Sequence, residues 1–247
     1  MKRLDLAFAS AAENLAADEA LLDRCEAGLG GETLLFWEPR ETFVVVGYAN
    51  KVAAEVNVAA CEKNGVPIFR RSSGGGAVVQ MPGGLNYSLI LRITETGPAR
   101  NITAANRFIM EKNRKAIESL AAAFKIQNSK FKISVRGHTD LCLGDLKFAG
   151  NSQRRRKHFL LFHGTLLLDC NLARIGELLN MPSLQPDYRA GRPHREFVTN
   201  LNLPAAKVKA ALAKVWNADE ELKNPPVEEI STLARGKYSA REWNFKF

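Results

Sequence analysis

The amino-acid sequence predicts an α+β fold of mixed β-sheets flanked by helices. Three observations carry that expectation. Strand-like runs gather in clusters, helix-period segments lie between the clusters, and no repeat, low-complexity stretch or clear linker divides the 247 residues. A single domain over residues 1–247 is the economical organisation, and a chain of that length can bury a sizeable core.

Ala11–Glu26 is rich in Ala and Leu, with Leu15, Leu22 and Cys25 at helical spacing and Asp18, Glu19 and Asp23 interleaved. Gly28, Gly30 and Gly31 stop that helix. Leu34–Glu38 and Thr42–Tyr48 are β-branched and aromatic, are separated by Pro39, and read as two strands. Val52–Asn64 reads as a helix closed by Gly65. Val66–Arg71 and Leu85–Ile93 read as strands flanking a glycine loop, with a further apolar run at Ala77–Val79. Ile102–Phe124 is a long amphipathic helix with Phe108, Ile109, Ile117, Leu120 and Phe124 on its apolar side. Lys130–Val135, Asp140–Leu143, Leu146–Gln153 and Phe159–Asp169 are strand-like, and Gly144–Asp145 makes a two-residue hairpin turn. Helices return at Asn171–Asn180 and Pro204–Trp216. The polar, proline-rich segment between them, from Pro182 to Asn200, is expected to run over the surface as a loop. A short tail, Val227–Phe247, ends in aromatics.

Composition narrows the function classes. Hydrophobic residues make up 46% and charged residues 25%, as in a soluble globular protein. The longest apolar runs, such as Phe43–Val46 and Phe159–Phe162, are far too short to span a bilayer. Asp5, Glu13, Asp18 and Glu19 interrupt any signal-peptide core. Cys25, Cys61, Cys142 and Cys170 are widely spaced and form no CxxC pair, which argues against a zinc site and a disulfide scaffold and for a reduced cytoplasm. The net charge is +9, part of it in Arg154–Lys157, Arg70–Arg71 and Arg189–Arg195. Arg154–Lys157 contains no aromatic residue to stack a base, so a solvated basic hairpin is expected there rather than a nucleic-acid site. No membrane role is expected either.

One stretch stands out: RRSSGGGAVVQ, Arg70 to Gln80. Three consecutive glycines give up side-chain packing and carry a large ordering entropy. Backbone N–H groups left bare in this way can cradle an anion or a flat ligand, and Arg71, Ser72 and Ser73 add donors beside them. No GK[ST] follows, so this is no P-loop, and GxGxxG is absent. A bulged hairpin turn is the plain alternative. A second constellation is GDLKFAGNSQRRR, Gly144 to Arg156, followed by HGTLLLD, His163 to Asp169. Lys147 precedes the small pair Ala149–Gly150. It reads either as a solvated strand residue or as a fixed positive charge for an acyl carbonyl or a phosphate.

RRSSGGGAVVQMPGGLNYSL, TDLCLGDLKFAGNSQRRR and FHGTLLLD together resemble the superfamily of lipoate-protein ligase A, octanoyltransferase and biotin ligase. NLAADEALL near the N-terminus, Glu55–Asn57 and the closing Arg241–Phe245 fit the same pattern, so the resemblance runs along essentially the whole chain. It implies a core like that of the class II synthetases and biotin ligases. It implies that Arg70, Arg71, Ser73, Gly74, Gly75 and Gly76 wrap the acyl chain and phosphate of an acyl-adenylate. Lys147 would contact the acyl carbonyl and the phosphate, and Asp140 would contact metal or phosphate. Val79 and Ala149 would line the acyl tunnel beside Gly150, and His163, Gly164 and Thr165 would close the pocket. The implied activity is transfer of lipoate, activated by ATP with Mg²⁺, to a lysine of a lipoyl carrier domain such as a 2-oxoacid dehydrogenase E2 or a glycine cleavage H protein.

The sequence departs from the family in places. Many members carry a histidine and an acid where this chain has Gln80 and Met81. The cysteine nucleophile of the transferase branches would fall at Lys132, at Val135 or near Pro182–Ser183, none of them a cysteine. Cys142, five residues before Lys147, is either buried or pocket-facing, and Cys170 reads as structural. That favours the ligase, although the C-terminal accessory domain common among ligases is expected to be absent, leaving that task to a separate polypeptide, to the chain alone, or to neither. A cysteine-dependent octanoyl or lipoyl transferase and a non-catalytic lipoyl-binding module stay open as alternatives.

Overall fold

The computed structural model describes residues 1–124 and 132–247. In chain order the elements are β1 (Lys2–Asp5), α1 (Ala11–Glu26), β2 (Thr33–Trp37), β3 (Phe43–Val46), α2 (Val52–Glu55), α3 (Val58–Lys63), β4 (Ile68–Arg70), β5 (Val78–Gln80), β6 (Gly84–Arg92) and α4 (Ile102–Ala123). There follow β7 (Ile133–Arg136), β8 (Asp140–Leu143), β9 (Leu146–Arg155), β10 (Phe159–Leu167), α5 (Ala173–Leu178), α6 (His194–Phe197), α7 (Ala205–Val215), β11 (Glu220–Glu221), α8 (Val227–Leu233) and α9 (Arg241–Asn244). The mixed sheets flanked by helices are those the sequence predicts.

The larger sheet has the order β11-β1-β2-β6-β10-β9-β8-β7. β1 pairs in parallel with β11 and with β2, and every other neighbour is antiparallel. The smaller sheet, β4-β3-β5, pairs β3 parallel to β4 and antiparallel to β5. Side chains alternate across each strand. Leu34 and Phe36 of β2, with Leu85 and Leu89 of β6 and Leu160 and Phe162 of β10, pack under α4 and α7 against Ile109, Ile117, Leu212 and Trp216. Leu35 and Trp37 face the other way, toward α1, together with Ile90, Leu161, Val45 and Tyr238. Both faces of β2 are therefore covered, and all five of its residues are buried. A third cluster joins Val44, Val46 and Val79 of the smaller sheet to Val56, Ile175 and Leu178.

Two expected elements differ. The helix expected over Val52–Asn64 is two short helices. Val56 leaves helical geometry to bridge Leu179, and Asn57 starts α3 by accepting the Ala60 N–H on its side chain. The segment expected to run over the surface from Pro182 to Asn200 instead folds into a 3₁₀ turn and α6 and forms a wall of the cleft described below. Of the strand expected at Lys130–Val135, the first two residues lie outside the described residues, and β7 starts at Ile133. Among the described residues no helix is long and apolar enough to cross a membrane.

Candidate active site

The alternation on two central strands breaks in one place. On the face that carries Ile90 and Leu161, the neighbouring positions are Asn86, Ser88, His163 and Thr165. Polar residues on a core-facing register mark the point where the sheet floors a cavity rather than a core. A cleft of about 1060 Å³ opens there, between β6, β9 and β10 on one side and the glycine loop and residues 182–198 on the other. Gln80 and Asn86 exchange amide hydrogen bonds at 2.9 Å, and Gln80 also donates to Thr165 Oγ1 at 2.9 Å, so the floor is polar and internally satisfied.

The glycine loop is shaped by Arg71. Its guanidinium donates to the carbonyls of Gly74 and Gly76 at 2.5 and 2.8 Å and to Ser73 Oγ at 3.1 Å. Gly75 takes φ +85, and a Cβ there would stand 2.9 Å from Arg71 Nη2. Gly47, on the adjoining segment, has no room for a Cβ because the Gly75 carbonyl occupies it. Arg71 lines the cleft with no carboxylate among its hydrogen-bond partners in the described residues, and burial pushes its guanidinium down to about 10 without discharging it at neutral pH. Arg70 is turned away. It is fully buried, and its guanidinium donates to the carbonyls of Gly47, Tyr48, Asn50, Trp243 and Asn244 at 2.8–3.1 Å. The pairing of both arginines as cleft residues therefore fails for Arg70, because consecutive residues leaving a strand point to opposite sides. Ser73 and Gly74 also stand behind the cleft wall, whereas Gly75, Gly76 and Val79 line it.

Lys147, on β9, reaches the cleft across Gly150, where a Cβ would lie 2.9 Å from its Cε and Nζ. Asp140 holds the ammonium at 2.8 Å and accepts the Tyr188 hydroxyl at 2.7 Å. Burial pushes the Tyr188 phenol up and the Asp140 charge adds to that, so the phenol is a neutral donor. His163 lies between Asp18 and Ser73, with Nδ1 2.6 Å from Asp18 Oδ2 and Nε2 2.5 Å from Ser73 Oγ. Gly164 is small because Asn151 fills the space a Cβ would take, and Asn151 there accepts the Tyr87 hydroxyl at 2.6 Å. Ala149 and Gly150 complete the wall beside Lys147.

Residues 10–216 match the lipoyl protein ligase A/B catalytic domain. The chain belongs to that family. The chain is 27% identical over 270 residues to octanoyltransferase LipM of Geobacillus kaustophilus, covering 98% of this chain and 97% of the relative. It is 26% identical over 243 residues to lipoate-protein ligase A subunit 1 of Thermoplasma acidophilum, covering 94% and 90%. In fold it resembles the bipartite lipoate protein ligase solved from Thermoplasma acidophilum with its E2 lipoyl domain, with a TM-score of 0.77, 24% identity and coverage of 99% and 95%.

Within this lipoyl ligase and octanoyltransferase family the position of every thiol matters, because a transferase needs an accessible thiolate. All four cysteines lie among the described residues, are unpaired and buried, and stand outside the cleft wall. Cys142 points its sulfur at the Tyr188 hydroxyl, 3.5 Å away, and burial pushes its thiol up. Burial also pushes Cys170 up to about 11. The Arg154–Lys157 run is likewise not a free basic patch. Arg154 pairs with Glu19 at 2.6 Å, Arg156 with Asp23 at 2.6 Å, and Arg155 donates to the carbonyls of Ala99 and Arg100.

Asp18, Glu55, Asn86 and Tyr188 are cleft residues of this lipoyl ligase family chain to which the motif reading assigns no role, although the first three lie inside motifs it singles out. Asn86 was within reach, since it interrupts the apolar register of Leu85–Ile93. Asp18 and Glu55 sit in helical segments whose acids look solvated in sequence, yet they are 4% and 3% exposed. Glu55 accepts both the backbone N–H and the hydroxyl of Ser183, which fastens the 182–198 segment to α2.

Proposed function

We propose that the protein is an ATP-dependent lipoate-protein ligase, which activates lipoate as lipoyl-AMP and transfers it to a lysine of a lipoyl carrier domain. The supporting observation is the chemistry of the cleft: the Lys147 ammonium and the Arg71 guanidinium stand beside Gly75, Gly76, Ala149 and Gly150, with no thiol in the wall. In the first step a lipoate carboxylate oxygen attacks the α-phosphorus and pyrophosphate departs. In the second the carrier amine attacks the acyl carbon, the acyl–oxygen bond breaks with its electron pair on AMP, and the amine releases a proton. Lys147 would neutralise charge developing on the acyl oxygen or phosphate, a contribution of about 10²–10³ in rate for a preorganised donor. Arg71 would meet the phosphate beside Gly75 and Gly76, and Val79 and Ala149 would flank the acyl chain.

A protein-built magnesium cage does not fit. Among the described residues no three His, Cys, Asp or Glu side chains gather to hold a metal, and Asp140 is engaged by Lys147 and Tyr188. Mg²⁺ would enter on the phosphates of ATP.

The acceptors this reading includes are E2-type and H-protein-type lipoyl domains. A separate accessory polypeptide for activation also belongs to it, as the subunit name of the Thermoplasma relative suggests. The similarity to LipM supports a second reading, a cysteine-dependent octanoyl transferase. Mass spectrometry of a lipoyl domain separates the two. A lipoyl adduct that forms only with ATP, Mg²⁺ and lipoate is expected. An octanoyl adduct formed from octanoyl-carrier protein without ATP would replace the ligase by the transferase, and no adduct under either condition, with candidate accessory polypeptides added, would reject both.

A further inference from the structure

We propose that Asp18, His163 and Ser73 form a one-way hydrogen-bond relay that holds Arg71 in place at the cleft. The three residues come from α1, β10 and the glycine loop, so the relay crosses from a helix through the sheet to the loop. Its consecutive distances are 2.6 Å from Asp18 Oδ2 to His163 Nδ1, 2.5 Å from His163 Nε2 to Ser73 Oγ, and 3.1 Å from Ser73 Oγ to Arg71 Nε.

The two ends fix every proton. Arg71 Nε can only donate, so Ser73 Oγ accepts from it. Among the described residues the other hydrogen-bond partner of Ser73 Oγ is His163 Nε2, so the single hydroxyl proton goes there and Nε2 is bare. The ring proton of neutral His163 therefore sits on Nδ1, and Asp18 accepts it as a carboxylate. Reversing the Ser73–His163 link would leave the buried Ser73 hydroxyl proton without an acceptor among the described residues, and reversing the Asp18–His163 link would set a bare Nδ1 against a carboxylate oxygen.

The trio has the composition of a nucleophilic triad but not its exposure. Ser73 is 1% exposed, stands outside the cleft wall, and its oxygen already accepts from Arg71. A substrate carbonyl could not reach it. Asp18 shows the same one-sidedness. It is 4% exposed, and its Oδ1 is buried without a hydrogen-bond partner among the described residues. A buried carboxylate with a single donor is under-satisfied. Ordering His163 and, through it, the loop arginine is the role that its geometry serves. Asp18, His163 and Ser73 are thus positioning residues acting through Arg71.

The binding arm of the test rests on the ligase reading, whereas the spectroscopic arm does not. Nitrogen-15 spectra of labelled histidine, assigned with His163→Gln, should show His163 protonated on Nδ1 and bare on Nε2. A proton on Nε2 at neutral pH would overturn the relay. Binding is then measured by calorimetry with octanoyl-sulfamoyl-adenosine, an unreactive acyl-adenylate mimic. Asp18→Leu and Arg71→Ala should each weaken binding about tenfold, and the double variant no more than Arg71→Ala alone, because residues in one network do not add. Ser73→Ala, a smaller change, replaces Asp18→Leu in the cycle if the latter does not fold. Additive losses would sink the relay, since a merely structural Asp18 would act independently of Arg71. If the wild type fails to bind the mimic, the ligase reading falls, and the His163 tautomer with its loss of the Nε2 partner in Ser73→Ala still decides the relay.

Discussion

Lys147 lies flat against Gly150: a Cβ built on Gly150 would stand 2.9 Å from both Cε and Nζ of the lysine. The atoms that would be displaced are the free end of a flexible chain, so Gly150→Ala should fold. The ammonium would still move off its position beside Asp140. A displacement near 1 Å at a reacting centre costs about 10² in rate. Gly150→Ala is therefore expected to lose about as much acyl transfer as Lys147→Ala, for which about 10² or more is expected. Both variants should melt like the wild type. Near-wild-type turnover in either, measured by lipoyl-domain mass, would remove Lys147 from the chemistry.

Gly75→Val tests the loop. The position has φ +85 and sits 2.9 Å from Arg71 Nη2 by its would-be Cβ. A β-branched residue there meets backbone strain of roughly 1–2 kcal/mol and pushes the guanidinium away from the Gly74 and Gly76 carbonyls. Calorimetric titration with an acyl-adenylate mimic should show binding lost. Unchanged affinity would make the glycines a turn and nothing more.

Arg70 and Arg71 are neighbours with opposite fates, and the difference is measurable. Arg70→Ala leaves five buried or half-buried carbonyls without their donor. The expected loss is on the order of 3 kcal/mol of stability, or roughly 10 °C in Tm for a chain of this size. Arg71→Ala should barely move Tm and should raise the KM for ATP. Thermal scans of the two variants that came out the other way round would reverse the assignment.

That contrast also shows how far the sequence could be read. The glycine loop and Lys147 stand out because glycine and a lone lysine are odd residues for a strand-rich region, and the cleft does form around them. The splitting of Arg70 from Arg71 was within reach too, since side chains alternate on leaving β4. Asp18 was not. It bonds His163 across 145 positions of chain, and no local pattern encodes such a meeting. Tyr188 is similar, reaching Asp140 from 48 residues away out of a segment whose proline and polar residues signal a surface loop. The break in the helix expected at Val52–Asn64 had the same cause, a tertiary bridge from Val56 to Leu179 overriding local propensity.

The thiols offer a test of the mechanism. Cys142 is 0% exposed, and burial raises its thiol; Tyr188, Lys147 and Arg136 pull the other way, while the Asp140 charge adds to the rise. A raised thiol means less thiolate at neutral pH, the reverse of what an acyl-accepting cysteine requires. Cys170 is raised to about 11 by burial and belongs to the same apolar cluster as Leu178 and Val79. Cys142→Ser and Cys170→Ser should therefore each keep most ATP-dependent lipoylation. Intact mass after mixing with octanoyl-carrier protein, without ATP, should show no adduct. Aromatic disulfide reagents should titrate Cys142 only at alkaline pH or after unfolding. A hydroxylamine-sensitive octanoyl adduct that vanishes in Cys142→Ser would show that the 182–198 segment opens to release the thiol from Tyr188. In that case Cys142, across the strand pair from Lys147, would be the nucleophile of a transferase.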